Sequence, residues 1–403
     1  MPLFFGSSTV KPQHFSNRNG SGNIDLKDSR GTVVKLQNYT VVIEKKLAEG
    51  GFAIIYLVND KSNHQFALKR QFINDDRQLE ACKRECCIIK CLQGHQNIIR
   101  YVDHLISRNK FGIYEYSLLT VYYKSSVLQL MNERLMSRRS LSPVEILSIF
   151  CDICEAVARL HHSQTPVIHR DLKIENILID DRGRSSSPRY VLCDFGSATT
   201  KVFSLETHSR QVIEDEILRY TTLSYRAPEM IDIYAGRPIG TKCDIWAMGV
   251  LLYKLCYFTL PFGESSLAIQ NCSYVFPNEP DCPKELRAII KLLLQPDIDL
   301  RPDIYQVCCL AFEAAGKKCP VGNLNATLDA LQENTSNCQA IQSETLKSDS
   351  KMIFNEKIGM SGISTSVNPR LRPKPSAALR NTTAFNIAEI EISPQSVFFE
   401  NNN

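Results

Sequence analysis

Five short runs between residues 39 and 122 either alternate apolar with polar side chains or cluster apolar β-branched residues. Runs of this kind predict β-strands, here at 39–47, 54–58, 65–72, 99–106 and 113–122. A glycine-containing turn from Glu49 to Gly51 joins the first two, and residues 77–92 after the third have the spacing of a helix. This part of the sequence therefore predicts a five-stranded antiparallel sheet with one helix.

Helical periodicity dominates the residues that follow. Residues 143–162 place Ile146, Phe150, Ile153 and Val157 on one broad apolar face. Residues 244–258 are apolar nearly all round but too short for a membrane helix, which indicates a buried core helix. Residues 283–295 and 302–315 predict further amphipathic helices. The fold class is therefore α+β, with a sheet lobe, a mainly helical lobe and a crevice between them.

The two ends of the 403-residue chain differ in composition from its middle. Residues 1–36 are rich in Ser, Asn and Gly, and we expect a flexible leader. Residues 321–403 are rich in Ser, Thr, Asn and Gln, and we expect a low-complexity, disordered tail. A basic, proline-spaced patch at 370–375 could dock a partner, although a solvated linker is the preferred interpretation. Residues 37–320 remain as the predicted folded domain.

Bulk composition narrows the class of protein. With 43% hydrophobic and 22% charged residues the chain is globular, and its net charge of +4 is too small to argue for nucleic acid. No run approaches the roughly 18 apolar residues that span a bilayer. The N-terminus has no signal-peptide pattern, and Pro2 excludes N-myristoylation. We therefore expect a cytoplasmic protein whose 15 cysteines are mainly reduced.

Four of these cysteines fall at helical spacing inside the predicted helix 77–92, namely Cys82, Cys86, Cys87 and Cys91. A zinc site is one interpretation, because side chains at this spacing can approach one another. Structural zinc usually takes C-x-x-C knuckles in turns, and no second knuckle or His pair accompanies these residues. Packing of the helix is the preferred interpretation.

The most informative run of polar residues extends from His169 to Asn176. Asp171 and, five positions later, Asn176 can place a carboxylate at an attacking hydroxyl and an amide oxygen on a metal. Asp-Phe-Gly at 194–196 and Ala-Pro-Glu at 227–229 follow in order. This ordered set resembles the protein kinases. The resemblance implies a bilobal protein kinase fold, with ATP and Mg²⁺ as cofactors and a protein as substrate.

The resemblance assigns the phosphate and metal contacts. Lys69, on the third predicted strand, would reach the α- and β-phosphates, with Glu85 in the following helix as its ion-pair partner. Arg84 is an alternative partner if the helix phase differs. Asp194 and Asn176 would hold Mg²⁺.

The catalytic residues implied by the resemblance indicate a class of kinase. Asp171 would accept or orient the proton of the substrate hydroxyl. Lys173 lies two residues further on, as in serine/threonine kinases, where its charge can meet a transferring phosphate. Thr222 matches the Thr that hydrogen-bonds Asp171 and Lys173 in that class. Both signals favour a serine/threonine kinase.

Three further residues resemble structural positions of the family. Glu229 is expected to pair with Arg301 and so tie the segment before it to the lower lobe. Asp244 is expected to begin a helix and hold the backbone of the catalytic loop. Loss of any of them should damage folding and activity together.

The glycine-rich loop departs from the family pattern G-x-G-x-x-G. Ala48, Gly50 and Ala53 take the three glycine positions, and Gly51 is an additional glycine. A methyl group limits φ but still lets backbone N–H groups face a phosphate, so we still expect nucleotide binding. The implied nucleotide-binding residues are Leu47, Ala48, Gly50, Gly51, Ala53, Ile55, Ala67, Lys69, Thr120, Tyr123, Asn176, Leu178, Cys193 and Asp194.

Two residues of this pocket carry individual expectations. Thr120 takes the gatekeeper position of the kinase resemblance, and its small side chain should open the back of the pocket. Cys193 precedes Asp194 and is either a nucleotide contact or an ordinary packed thiol. The packed thiol is preferred without a lowered pKa.

Longer stretches narrow the resemblance. Residues 47–53, 155–161, 191–198, 220–229 and 255–265 together resemble the Numb-associated kinases, most closely the adaptor-associated and BMP-2-inducible kinases, over about 37–320. This resemblance implies phosphorylation of a Thr on the medium chain of clathrin adaptors, in support of clathrin-mediated endocytosis. It implies a monomer that reaches clathrin-coated membrane sites through its partners.

Two local features accompany this resemblance. It implies an additional helix after Ala-Pro-Glu, at about 230–235. Residues 185–188 lengthen the turn before Asp194, and we expect them to form a surface loop.

Two other classes of function stay open at this stage. A nucleotide-binding pseudokinase scaffold would explain the weak glycine-rich loop, although the catalytic and metal residues are all present. An endocytic adaptor would make the tail the functional centre, although the tail has no Asn-Pro-Phe tripeptide and no clear clathrin box. The sequence favours the active kinase.

Overall fold

The computed structural model describes residues 30–50, 53–109, 112–182 and 187–323. Within them a curled antiparallel sheet is followed by a mainly helical lobe, so the predicted α+β fold is confirmed. The predicted tail, apart from residues 321–323, lies outside the described residues, as do residues 1–29 of the predicted leader and Gly51.

The larger sheet has six strands rather than the five expected, in the order β1-β2-β3-β4-β6-β5. Its strands are β1 (Val33–Lys35), β2 (Thr40–Glu49), β3 (Ile54–Asn59), β4 (Gln65–Ile73), β5 (Tyr101–Arg108) and β6 (Tyr114–Val121). The additional strand β1 lies in the segment predicted to be a leader. Val34 pairs with Val41 of β2 and both are buried. The short strand β1 therefore forms because it pairs with β2, not because its own sequence alternates apolar and polar residues.

One helix, α1 (Asp76–Cys91), packs beside this sheet, as predicted. Asp75 caps it by accepting a hydrogen bond from the backbone N–H of Gln78, which satisfies an otherwise unpaired donor. Of its four cysteines, Cys82 and Cys86 are buried and Cys87 and Cys91 are exposed, so they occupy different faces. The described residues contain no cluster of three or more His, Cys, Asp or Glu side chains that could hold a metal ion.

The second lobe combines a three-stranded sheet with helices. Its strands are β7 (Ser125–Ser126), β8 (Ile177–Asp180) and β9 (Arg189–Leu192). Its helices are α2 (Val127–Met136), α3 (Pro143–His161), α4 (Arg210–Tyr220), α5 (Pro228–Ile231), α6 (Thr241–Tyr257), α7 (Ser266–Gln270), α8 (Lys284–Leu293) and α9 (Ile304–Ala314).

The core of this lobe forms around α6 and α3. Fourteen of the 17 residues of α6 are buried, which explains its nearly continuous apolar sequence. Helix α3 starts at a capping box in which Ser142 and Glu145 satisfy each other's backbone N–H groups. No helix in the described ranges is long and apolar enough to cross a membrane.

At the predicted position of the additional helix, about 230–235, the structure has the end of the one-turn helix α5 and a 3-10 turn at Ile233–Ala235. The longer helix α4, before Ala-Pro-Glu, was not predicted. Residues 210–220 have weak amphipathicity, and only Ile213 and Ile217 of this helix are buried. Its position therefore depends on contacts with other elements, which the sequence pattern does not show.

Candidate active site

A cavity of about 440 Å³ lies between the two lobes. Of the predicted nucleotide-binding residues, all those that the structure describes line this cavity: Leu47, Ala48, Gly50, Ala53, Ile55, Ala67, Lys69, Thr120, Tyr123, Asn176, Leu178, Cys193 and Asp194. The roof is the turn between β2 and β3, where the N–H of Gly50 donates to the carbonyl of Ala53 at 2.8 Å. The cavity thus collects residues from both lobes.

Lys69 lies at the centre of an ionic cluster in this cavity. Its ammonium nitrogen is 2.7 Å from Oε1 of Glu85, so the predicted pair is confirmed, and 3.1 Å from Oδ1 of Asp194. The ammonium group of Lys69 lowers the pKa of Asp194 to about 2. Burial works to lower the pKa of Lys69, but the two carboxylates outweigh it and the pKa is raised. Lys69 and Asp194 are therefore charged near neutral pH, whereas burial raises the pKa of the Glu85 carboxyl.

Local structure explains why these groups meet. In β4, Lys69 pairs with Ile55 of β3 and Leu118 of β6, so its Cα is fixed from both sides. Glu85 is buried in α1, whereas its neighbour Arg84 donates to the carbonyl of Ala198 and is not the partner of Lys69. A Cβ on Gly196 would lie 3.3 Å from the Lys69 ammonium, so a side chain at this position would crowd the cluster.

The catalytic loop brings Asp171, Lys173 and Thr222 together. Oγ1 of Thr222 donates to Oδ1 of Asp171 at 2.7 Å and accepts from the ammonium of Lys173 at 3.1 Å, as predicted. The same ammonium is 2.7 Å from Oδ2 of Asp171. One carboxylate oxygen is thus oriented by a hydroxyl and the other by a cation, which fixes the Asp171 side chain.

The backbone of this loop is held from beneath by Asp244, as predicted. Its carboxylate accepts the N–H groups of His169 and Arg170, both at 2.8 Å, and lies 2.9 Å from Nε2 of His161. Arg170 adopts a left-handed backbone with φ of 68°, which is unfavourable for a residue with a Cβ. Asp244 therefore supports a strained turn directly before Asp171.

A second buried ion pair anchors the end of the segment that follows Asp-Phe-Gly. Arg301 donates to both carboxylate oxygens of Glu229, at 2.7 and 3.0 Å, which confirms the predicted pair. Both side chains are fully buried. Planar, bidentate contacts of this type restrict geometry strongly. The pair thus fixes Ala-Pro-Glu against α6 and the loop before α9.

Oxygen ligands suitable for a divalent cation are present beside the cavity. Nδ2 of Asn176 donates to the carbonyl of Asp171 at 2.9 Å, which leaves the amide oxygen as its potential metal ligand. The carboxylate of Asp194 is the second. Carboxylate and amide oxygens are hard ligands, and phosphates can complete such a site. The donor set therefore fits a metal–nucleotide complex.

Thr120 and Cys193 occupy the inner surface of the cavity. Thr120 is 7% exposed, and its hydroxyl lies 3.5 Å from the carbonyl of Ala67. Burial, and then the charge of Asp194, raise the pKa of the Cys193 thiol. A raised pKa keeps the sulfur protonated, which is typical of a packed thiol rather than a reactive one.

Several residues of the site were not predicted from the sequence. Ile89, Ile99, Leu118 and Glu175 also line the cavity. Leu118 could have been inferred, because residues two apart on a strand share a face and Thr120 was already assigned. The others come from a helix, a loop and the catalytic loop, and no sequence period links them to the pocket.

Comparison with known proteins agrees with this geometry. The protein kinase domain family matches residues 41–312. The chain is 45% identical over 383 residues to serine/threonine-protein kinase sel-5 of Caenorhabditis elegans, covering 87% of this chain and 35% of the relative. A Dictyostelium discoideum protein named as a probable serine/threonine-protein kinase is 40% identical over 285 residues, which is 70% of this chain and 25% of that protein.

A third relative, serine/threonine-protein kinase ppk30 of Schizosaccharomyces pombe, is 39% identical over 290 residues, covering 71% of this chain and 30% of the relative. The chain spans about a third or less of the length of these curated relatives. The family match, however, covers more than half of the chain. On this basis the chain belongs to the protein kinase family.

Proposed function

We propose that the chain is an active serine/threonine protein kinase that transfers the γ-phosphate of ATP to Ser or Thr hydroxyls. The observation that carries the proposal is the contact of Thr222 with both Asp171 and Lys173, at 2.7 and 3.1 Å. This arrangement orients a carboxylate toward a hydroxyl substrate while holding a cation beside it. The names of the curated relatives support the same class of acceptor.

The residues of the site divide the work of phosphoryl transfer. Lys69, held by Glu85, would grip the α- and β-phosphates, while the cavity under Gly50 would bind the remainder of the nucleotide. Asp171 would orient the acceptor hydroxyl and take its proton. Lys173 would offset the negative charge of the phosphoryl group during its transfer. Positioning of the reactants and electrostatic stabilisation provide most of the rate enhancement in phosphoryl transfer, because the protein forms no covalent bond with the phosphoryl group.

We propose Mg²⁺ as the metal, held by Asp194 and Asn176 together with phosphate oxygens. When bound, the cation would offset the negative charge of the phosphates. The pKa of Asp194, lowered to about 2, keeps its carboxylate ionised at any physiological pH. Thus no proton competes with the metal at this ligand.

The proposed substrate is a Thr on the medium chain of a clathrin adaptor. This proposal is supported by the likeness of residues 47–53, 155–161, 191–198 and 220–229 to the Numb-associated kinases. It would place the kinase in the cytoplasm at clathrin-coated membranes, bound through its partners and acting as a monomer. A pseudokinase scaffold predicts no phosphate transfer by this chain, whereas an endocytic adaptor predicts that the tail rather than phosphate transfer is the functional centre.

The test measures phosphate incorporation from ATP into a Thr-containing peptide of an adaptor medium chain. The chain is compared with its Asp171→Ala variant, and a peptide with Val in place of the Thr is the substrate control. We expect transfer by the wild type only, and only to the Thr peptide. Equal and negligible transfer by both proteins would favour the scaffold. Transfer to unrelated Ser/Thr peptides but not to the adaptor peptide would contradict the proposed substrate alone.

A further inference from the structure

Tyr116 of strand β6 carries a polar group into the core of the sheet lobe. Its side chain is fully buried, and within the part of the chain that the structure describes its hydroxyl has no hydrogen-bond partner of ordinary geometry. Buried polar groups in folded proteins are nearly always hydrogen-bonded, because burial removes their contact with water. The position of this hydroxyl therefore needs a physical reason.

The pairing of the strands shows where Tyr116 lies. Leu118 and Thr120 follow at two and four positions along β6, and both line the cavity. Alternate residues of a strand share a face, so Tyr116 lies on the face that carries them. In β4, Lys69 is opposite Leu118 and Gln71 is opposite Tyr116. Tyr116 is thus one step along the sheet from the row that holds Lys69.

Helix α1 crosses this face above both rows. Glu85 contacts Lys69 at 2.7 Å, and Sγ of Cys82 donates to Oε1 of Gln71 at 3.7 Å. Cys82 and Glu85 are three residues apart, so they lie on the same side of the helix. The two contacts place Tyr116 beneath the turn of α1 that runs from Cys82 to Glu85.

The charges around Tyr116 identify the Glu85 carboxyl as the acceptor that its hydroxyl faces. Burial is the main cause of the raised pKa of Tyr116, and the negative charge of Glu85 comes next, ahead of the thiols of Cys86 and Cys82. A raised pKa keeps the hydroxyl protonated. The hydroxyl is therefore available as a hydrogen-bond donor.

Groups of opposing effect surround Glu85 itself. Burial raises the pKa of its carboxyl, and the ammonium of Lys69 on β4 lowers it. Asp194, from the loop after β9, raises this pKa, and the Tyr116 hydroxyl, acting as a donor, lowers it. Lys69 and Tyr116 therefore both favour the ionised carboxylate, each from one of two neighbouring strands.

The orientation of Glu85 matters because Lys69 is shared. Its ammonium lies 2.7 Å from Glu85 and 3.1 Å from Asp194, so a displaced Glu85 would leave Asp194 as the remaining anchor of the cation. A carboxylate that accepts hydrogen bonds from two donors is held more firmly than one with a single donor.

We propose that Tyr116 is a positioning residue whose hydroxyl donates to the Glu85 carboxylate and so keeps Lys69 where the phosphates of ATP are held. This inference rests on the proposed kinase activity. It adds to the same site a residue that acts through Glu85 rather than through contact with the nucleotide.

The test is a double-mutant cycle on the 403-residue chain, with wild type, Y116F, E85A and Y116F/E85A compared by steady-state peptide phosphorylation. Y257F is the matched control, because Tyr257 of α6 is also buried, at 4% exposure, and its hydroxyl has no partner of ordinary geometry among the described residues. Affinity for a non-hydrolysable ATP analogue, measured by calorimetry, repeats the cycle independently of the residual rate of E85A.

Y116F should lower kcat/KM for ATP by about 10-fold, since hydrogen bonds to charged groups are the stronger ones in proteins. Its KM for the peptide and its melting temperature should change little, because the ring that fills the core is kept. In the E85A background the same substitution should have little further effect, because the hydroxyl acts through Glu85. Y257F should match the wild type.

Two results would overturn the inference. One is a Y116F variant with wild-type kcat/KM and wild-type affinity for the ATP analogue. The other is an equal loss in the wild-type and E85A backgrounds, which would show that Tyr116 acts by packing alone. If Y116F does not fold, Y116M carries the test, because Met fills irregular space in a core without a hydroxyl. Failure of the kinase proposal itself gives a different result, namely no transfer by the wild type.

Discussion

The ammonium nitrogen of Lys69 lies 2.7 Å from the carboxylate of Glu85, and this contact joins strand β4 to helix α1 across 16 positions of sequence. The same nitrogen reaches Asp194 of the second lobe at 3.1 Å. One cation thus connects the sheet, the helix and the metal-binding loop.

Lys69→Met should abolish most transfer while leaving the fold intact. The variant loses the cation expected to hold the phosphates, and removal of a preorganised charged contact typically costs about 10²–10³ in kcat. Lys83→Met is the matched control, because Lys83 lies on the surface of α1 and pairs with Glu80 at 2.8 Å. Steady-state kinetics with the adaptor peptide check this. Similar rates for both variants would contradict a role for Lys69.

Asp171→Asn should lower kcat by about 10²–10⁴-fold with little change in nucleotide affinity. The amide keeps the shape of the side chain and a hydrogen bond to Thr222 but cannot take a proton. Nucleotide binding, measured by calorimetry with a non-hydrolysable ATP analogue, separates binding from chemistry. A parallel loss of affinity and rate would mean that Asp171 acts on the fold of the cavity instead.

Thr222→Ala should lower kcat, and Thr222→Ser should restore most of it. The hydroxyl, not the methyl group, makes the contacts with Asp171 and Lys173. A charge-assisted hydrogen bond is worth about 1.5–3 kcal/mol, so the alanine variant should be roughly 10- to 100-fold slower. Equal rates for the serine and alanine variants would show that the hydroxyl is not what matters.

Glu229→Gln should destabilise the folded state strongly. It leaves Arg301 as a buried charge without its counterion, which costs about 3–5 kcal/mol. Asp281→Asn is the control, because Asp281 is 98% exposed and pairs with Arg287 at 3.3 Å. Exposed pairs contribute about 0–1 kcal/mol. Urea unfolding of the three proteins gives both differences, and equal midpoints for the two variants would contradict the prediction.

Asp152→Asn should change how stability depends on pH. Burial raises the pKa of Asp152 to about 6, although the carboxylate accepts the N–H of Tyr190 at 2.7 Å. Since this folded pKa lies above the model-peptide value of 3.8, the group's contribution is present below about pH 4 and lost as pH rises through 6. Asn keeps the hydrogen-bond acceptor without the charge.

The free energy of unfolding at pH 4 and pH 7 checks this expectation. Relative to the wild type, the Asn variant should gain about 2–3 kcal/mol of stability between these two pH values. The direction of the change is the decisive outcome. A variant whose advantage shrinks as pH rises would show that the Asp152 carboxylate is not penalised by burial.

Much of the catalytic loop could be predicted because its residues act at short and regular spacing. Asp171, Lys173 and Asn176 lie on one turn, so their order along the chain already indicates their proximity. The pairs Lys69–Glu85 and Glu229–Arg301 could be predicted for a different reason. The resemblance to the protein kinases identifies both members of each pair, although they lie far apart in the sequence. Their contacts could not have been derived from local periodicity.

Strand β1 and helix α4 could not be predicted in this way. Val33–Lys35 is too short to show an alternating pattern, and it forms a strand because β2 offers open backbone groups and a buried apolar partner. Residues 210–220 form a helix before Ala-Pro-Glu that was not predicted. Where the local preference for helix or strand is weak, contacts with neighbouring elements decide the secondary structure of the segment.

The sequence by itself therefore determined the fold class through its periodicity, and the residues of the catalytic loop through the resemblance of its ordered motifs to the protein kinases. Only the tertiary structure decided that Arg170 meets Glu216 and that Asp194 meets Lys69. An ion pair between distant residues exists only when folding has removed both from water and brought them within a few ångströms. The identity of one residue of such a pair does not show which distant residue will be its partner.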